Sequence, residues 1–434
     1  MKLAEVLAQN PLMLFADFRS LFLGRIISAV GDKFFTIALA WWVVSQGGEN
    51  SGLHLGFLMA INVLGVVLFA PWMGAYADRL DKKHCMMAAD AGRFLLLALL
   101  AFLLYRGQLT MPLLYVICFA IAAFMPLFEA ASKSSLVLLT DSRKAAESVA
   151  MDASVLQLSS VLGAAIGGIV LASVGVLGAF LGNGLSFLLS LYFVWSIRTD
   201  LKPAVVFDKA KQRGQIGEGL AYLKDNPGMG ALLLVFCVNN FFAAPLMLFI
   251  PMVVKFLLQY SVSWVAVMEG ALALGALTAT LLLSCFPVLH GRGNVYQKLF
   301  GSSVLMGAMV FVMAGVRSGT AVSGALFLFG MAMGFGGTSA QAAFQHLVPQ
   351  EMKGRFFALS GAVCFAVLPL SFVFNGLITR YFPLSLVIAV NGVALMLTAA
   401  AFLFIPRIPE KPEKADSICA QGEGKHSAST FQED

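Results

Sequence analysis

"GAYADRLDKK" (Gly74–Lys83) puts five charged residues into ten, in a chain where Asp, Glu, Lys and Arg together make up only 12%. Apolar sequence presses on it from both sides, "FLMAINVLGVVLFAPWM" before and "CMMAADAGRFLLLALLAFLLY" after. Each flank belongs to a run long enough to cross a bilayer, which takes about 20 apolar residues. A charged knot between two such runs reads as a short turn held at the membrane surface.

Working outward, the same alternation covers the whole chain. Its 434 residues are 59% hydrophobic, with 37 Phe and 20 Met, and the mean hydropathy is +0.85. A soluble domain carries about a quarter charged residues, so the composition indicates an all-α polytopic membrane protein. The alternating segments of about ten residues that mark a transmembrane β-barrel are missing. We read twelve spans, at about 19–45, 53–77, 84–105, 110–131, 149–172, 176–197, 228–258, 264–288, 298–317, 321–347, 355–379 and 384–405. The longest polar interval falls after the sixth. The expected organisation is a six-helix half over 1–197, a cytoplasmic central loop over 198–227, a second six-helix half over 228–405 and a disordered cytoplasmic tail over 406–434. The N-terminus lacks the short apolar core and small-residue cleavage site of a signal peptide.

Lys and Arg set the expected orientation. They crowd the loops on the knot's side, whereas the opposite side holds only Arg106, Lys255, Arg317 and Arg380. This puts both termini in the cytoplasm and explains the formal net charge of +6 without nucleic acid. The six cysteines are scattered, with no CxxC pair, and read as core packers rather than a disulfide or metal framework. No GxxxxGK[ST], HExxH, EF-hand loop or GxSxG stretch occurs, so nothing recommends an enzyme, a cofactor or a bound metal.

The knot has the form glycine, three residues, Asp-Arg, two residues, two basics: Gly74, Asp78, Arg79, Lys82 and Lys83. With two sets of six spans and a long central loop, this resembles the major facilitator superfamily. "FRSLFLGRIISAVGDKFFTIALAWWVV", "MMAADAGRFLLL", "SSVLGAAIGGIVLASVGVLGAFLGNGLSFLLS" and "LVPQEMKGRFFALSGA" are similar to stretches of its drug:proton antiporter group, which contains macrolide-efflux proteins and enterobactin exporters. The resemblance implies two bundles that rock about a central site, with the knot as a conformational latch. In it, Gly74 would let span two approach a neighbour closely, and Asp78 would face a helix N-terminus. Asp81 stands where the family has a second glycine, and Ala164 where span five has a proline. The basic residue that many proton-coupled relatives carry in span four is missing.

Charges inside spans are costly, about 2.5–3.5 kcal/mol each at a helix centre on insertion scales. Asp32 is therefore the leading proton-coupling candidate, with Arg25 on the same face and Glu129 three residues after Pro126. A fixed ion pair of Asp32 with Arg25 or Lys33 is the competing reading. Asp90 and Arg93, three apart, read as a structural ion pair. Asp152 is assigned to a cytoplasmic charge network and Glu269 to the outer end of span eight. Lys33, Trp41, Asn62, Gln157, Asn239, Asn240, Gln341 and Asn375 are the expected cavity lining, and Gly163, Gly167 and Gly168 a close helix contact. The resulting expectation is a monomeric inner-membrane antiporter that expels a hydrophobic or amphiphilic molecule in exchange for protons, as in multidrug resistance. A siderophore exporter, a lysophospholipid flippase and a non-transporting sensor or assembly partner are the alternatives.

Overall fold

A computed structural model describes residues 10–141, 143–202, 221–286 and 294–405. The tail expected over 406–434, and 203–220 of the expected central loop, lie outside the described residues. Among the described residues the chain is helical throughout, with no strand, and eleven helices are long and apolar enough to cross a membrane. They are α1 (Ala16–Gln46), α2 (Ser51–Arg79), α3 (Lys82–Tyr105), α4 (Met111–Leu139) and α5 (Ala145–Trp195). After these come α6 (Pro227–Ala243), which continues through the short α7 (Leu246–Met252) and a wide turn, Val253–Leu258, to complete one crossing. The set closes with α8 (Ser263–Cys285), α9 (Val295–Gly315), α10 (Gly319–Leu347), α11 (Lys353–Tyr381) and α12 (Leu384–Phe404).

The count of eleven is consistent with twelve crossings because α5 is doubled. Its 51 residues would run about 77 Å at 1.5 Å per residue, more than twice the roughly 30 Å hydrocarbon core. Gly175 breaks it at φ +65, a conformation glycine adopts without a Cβ clash. The two limbs on either side correspond to the fifth and sixth expected spans. Pro126 has no comparable effect: α4 runs unbroken across it.

Helices pack mainly within two groups. In the first, α1 lies along α5, α2 along α4, and α3 along both α4 and α5; in the second, α8 packs on α10, and α9 on α10 and α12. Between the groups the main contacts are α2 with α11 and α5 with α8. Small residues permit both. A Cβ on Gly376 would sit 2.5 Å from the Gly52 carbonyl oxygen, and a Cβ on Gly168 would sit 2.9 Å from Ala266 Cβ. These contacts lie toward the end of the bundle opposite the knot. At the knot's end Trp72 and Tyr76 are more than half exposed, and a Cβ on Gly74 would meet nothing within 4 Å.

Candidate functional site

Midway along the first group lies a cavity of about 210 Å³, lined in part by Arg25, Asp32, Lys33, Arg93 and Glu129 over an apolar wall that includes Met125, Phe128 and Leu156. Asp32 sits at the middle of the 31-residue α1. Gly31 draws α1 against the second limb of α5, where a Cβ would lie 2.5 Å from Asn183 Oδ1. That approach lets Asn183 Nδ2 donate to Asp32 Oδ1 at 3.2 Å. Arg93 Nη1 stands 3.9 Å from the other Asp32 oxygen, while Arg93 Nη2 is bonded to Asp90 Oδ1 at 2.5 Å. The guanidinium is further held over the Phe187 ring, 4.2 Å from its centroid. Asp90 and Arg93 thus pair as their spacing suggests, and the pair also reaches Asp32.

Arg25 does not pair with Asp32. Seven residues return to nearly the same helix face, but they also climb about 10 Å, beyond the reach of an ion pair. Arg25 instead enters a cluster between α1, α4 and α5. Its Nη2 donates to Glu129 Oε1 at 2.9 Å, its Nη1 stands 3.0 Å from Asp152 Oδ1, and the same nitrogen donates to Ser132 Oγ at 2.7 Å. Lys133 reaches the second Glu129 oxygen at 3.1 Å from a largely exposed position. Asp152, assigned from sequence to a cytoplasmic charge network, is a buried member of this cluster.

Lys33 lines the cavity on the next position of α1, but its ammonium pairs with Glu269 of α8, so the competing Asp32–Lys33 pair is absent. Glu269 is buried and links the two helix groups. Gly163 and Gly167 make this register possible, because Cβ atoms there would lie 2.5 Å from Lys33 Cβ and 2.8 Å from Phe34 Cβ. A second link between the groups lies nearer the far end, with Lys255 Nζ 5.1 Å from the centroid of the Trp41 ring.

Other expected lining residues stand outside this cavity. Asn375 is fully buried and accepts from Asn391 Nδ2 at 2.7 Å, so it ties α11 to α12 and is not cavity lining. Asn240 donates to the Phe236 carbonyl in its own helix, and Asn239 is buried. Trp41 lies under Lys255, Asn62 is half-buried on α2, and Gln157 and Gln341 are exposed on theirs. At the knot, Asp81 caps α3 by accepting from the Lys83 amide at 2.8 Å. Lys83 Nζ donates to the Ile197 carbonyl at 2.7 Å, and the amide of the buried Lys82 donates to the Leu201 carbonyl at 3.3 Å. These bonds hold the knot to the end of α5. Among the described residues the side chains of Asp78 and Arg79 have no hydrogen-bond or ion-pair partner, and Gly74 makes no close approach.

Sequence reasoning missed Asn183, Ser132 and the Lys33–Glu269 pair. Asn183 left one trace, a lone amide between two glycines in an otherwise apolar run. The other contacts join helices distant in sequence and leave no local sign.

A family model described as Major Facilitator Superfamily matches residues 21–372. Among curated relatives, the MFS-type transporter YfiS of Bacillus subtilis (strain 168) is 25% identical over 401 residues, covering 90% of this chain and 93% of its own. Macrolide efflux protein A of Streptococcus pyogenes is 23% identical over 382 residues, covering 83% and 88%. Among solved structures, the nucleoside transporter NupG aligns with a TM-score of 0.71 at 13% identity, covering 90% of this chain and 98% of its own. A bacterial homolog of the human lysosomal transporter Spinster, in an inward-facing and occupied conformation, aligns with a TM-score of 0.72 at 12% identity, covering 90% and 96%. At such identities the solved structures speak to the fold alone.

Proposed function

The chain belongs to the major facilitator superfamily, and from that premise we propose that this multi-pass transporter expels a hydrophobic or amphiphilic small molecule in exchange for protons. In this reading the knot's end faces the cytoplasm of a bacterial inner membrane, following the Lys and Arg excess on that side. Both termini are then cytoplasmic, and the protein works as a monomer. The contacts of α2 with α11 and of α5 with α8 then lie at the outer end, and in this reading the conformation is inward-open.

The observation that carries the reading is the mid-bundle cavity with Asp32 at its wall. Its apolar face suits a greasy substrate, and its charges suit exchange. Asp32 and Glu129 are the more open of its charged groups, 42% and 27% exposed, whereas Arg25 and Arg93 are 5% and 6% exposed. A cavity that turns carboxylates toward its contents and keeps its guanidiniums behind them is poorly matched to an anionic siderophore. Proton binding at Asp32 and substrate binding beside it would then compete, which is the requirement for antiport. Alternating access would proceed as the Lys33–Glu269 and Trp41–Lys255 links part at the outer end and the knot closes at the inner one. The similarity to a macrolide efflux protein supports the direction of transport and the substrate class.

The test is reconstitution into liposomes with an imposed pH gradient and a panel of lipophilic dyes and macrolides. Gradient-dependent movement of at least one compound, abolished by a protonophore, is expected. Movement that ignores the gradient would remove the antiport component, and no movement across the panel would remove the substrate class.

A further inference from the structure

The cysteines are scattered in sequence and read singly as packing residues, yet folding brings two of them into contact. Cys237 of α6 and Cys364 of α11 are 127 positions apart, and their sulfur atoms stand 3.7 Å from each other. Neither belongs to the mid-bundle cavity or to the links between the helix groups. The sulfurs of a disulfide lie about 2.05 Å apart, so closing this pair takes an approach of about 1.7 Å. The two helices are already tied in register. Further along both of them, Ser371 Oγ of α11 donates to the Phe241 carbonyl of α6, which keeps the thiols side by side while each turns about its own Cα–Cβ bond. Their exposure differs. Cys237 is 4% exposed, whereas Cys364 is half-buried and so the first of the two that a small reagent meets.

We propose that Cys237 and Cys364 form a reversible dithiol–disulfide couple, oxidised by a peroxide. The Cys364 sulfur attacks one peroxide oxygen and the O–O bond breaks. Cys364 becomes a sulfenic acid, and the other oxygen leaves as water with the thiol's proton. The Cys237 sulfur then attacks Cys364 Sγ, forming the S–S bond and releasing the second oxygen as water with its own proton. Two thiols and one hydrogen peroxide thus give one disulfide and two waters, and a dithiol reductant reverses the change by exchange. α11 carries the Phe372 and Gly376 contacts with α2, and α6 continues through α7 to Lys255 beside Trp41. The bond therefore braces against each other two elements by which the second group holds the closed end. Its chemistry does not depend on the antiporter reading above.

The test uses the full chain in lipid nanodiscs, in a Cys285→Ser/Cys419→Ser background. That background removes the exposed thiol and the one outside the described residues. After treatment with hydrogen peroxide the protein is denatured, free thiols are alkylated, and its peptides are mapped by mass spectrometry. A linked Cys237–Cys364 peptide is expected, lost again on adding dithiothreitol. The oxidised protein should also unfold at a higher temperature than the reduced one, a rise that disappears in Cys237→Ser. In that variant Cys364 lacks its resolving thiol, so dimedone should trap its sulfenic acid where it traps little in the parent. Both thiols recovered free after peroxide, or Cys364 found only as higher oxides, would overturn the inference. So would a disulfide joining either residue to Cys85 or Cys118, or equal dimedone trapping with and without Cys237.

Discussion

The side chains that matter most here are charges shared across helices. Arg93 is bonded to Asp90, faces Asp32 and stacks on Phe187, so its position is determined from three sides. Asp32 is held less firmly, by one amide hydrogen bond at 3.2 Å and a cation at 3.9 Å. The Asp32→Asn protein is expected to fold and bind substrate yet lose gradient-driven transport in liposomes; full coupling in that variant would eliminate Asp32 from the exchange. Lys33 and Glu269 make the opposite case. Both ends of the pair sit inside the protein, and removing one partner of a buried pair costs about 3–5 kcal/mol. Lys33→Ala should therefore lower thermal stability markedly, with much of the loss recovered in Lys33→Met/Glu269→Leu, where neither charge remains. Equal stability of the single variant and the parent would mean the pair contributes nothing to the closed outer end.

Elements are positioned by small residues where helices cross. On α2, a Cβ at Gly56 would run into the Phe372 carbonyl oxygen of α11, and backbone atoms of a helix have little room to yield. Gly56→Val is expected to wedge α2 from α11, at a cost of about 1–3 kcal/mol, and to shift the population away from the outer-closed state. Spin-label distances between the outer ends of α2 and α11 would report the shift, and an unchanged distance distribution would show that the crossing tolerates bulk. On α5, Gly163, Gly167 and Gly168 have a double duty, the first two facing Lys33 and Phe34 of α1 and the third facing Ala266 of α8. Here, as on α2, a helix of one group touches both its own group and the other. Ala164, where the resembled family has proline, leaves the first limb of α5 helical and packs toward Gly270.

At the scale of the whole molecule, the two ends of the bundle differ. One is closed by α2 on α11 and α5 on α8, with Trp41 under Lys255. At the other, Gly74 lies in open space and Asp78 lacks a side-chain partner among the described residues. If the knot is a latch, this is its released state. Cysteines at Gly52 and Thr379, whose Cβ atoms would lie 3.1 Å apart, are near enough for a disulfide after a small adjustment. Oxidising the Gly52→Cys/Thr379→Cys protein should stop transport, and reduction should restore it. Continued turnover in the cross-linked protein would rule out opening at that end. Asp78→Asn should slow turnover while leaving this conformation unchanged, since Asp78 has no side-chain partner among the described residues to lose.

Much of the architecture was legible from one dimension. Apolar run length dictates helices that cross a membrane, because a peptide group in hydrocarbon must bond within a helix or a closed barrel, and runs of about 20 residues fit the helix. The form of the knot pointed to the major facilitator superfamily, and the match over residues 21–372 bears that out. The need to compensate charge among apolar residues marked Asp32, Arg25 and Glu129 as special before any neighbour was known. Which charge meets which was decided only by tertiary structure. The passage from Arg25 to Glu129 crosses 104 positions, and Asn183 comes to Asp32 from 151 away. Ion pairing depends on a few ångströms of separation, whereas helical periodicity specifies only a face and a height. Sequence could therefore supply the charges and their levels, and the packing of α1 against α4 and α5, with Arg93 of α3 and Glu269 of α8 brought within reach, had to choose their partners.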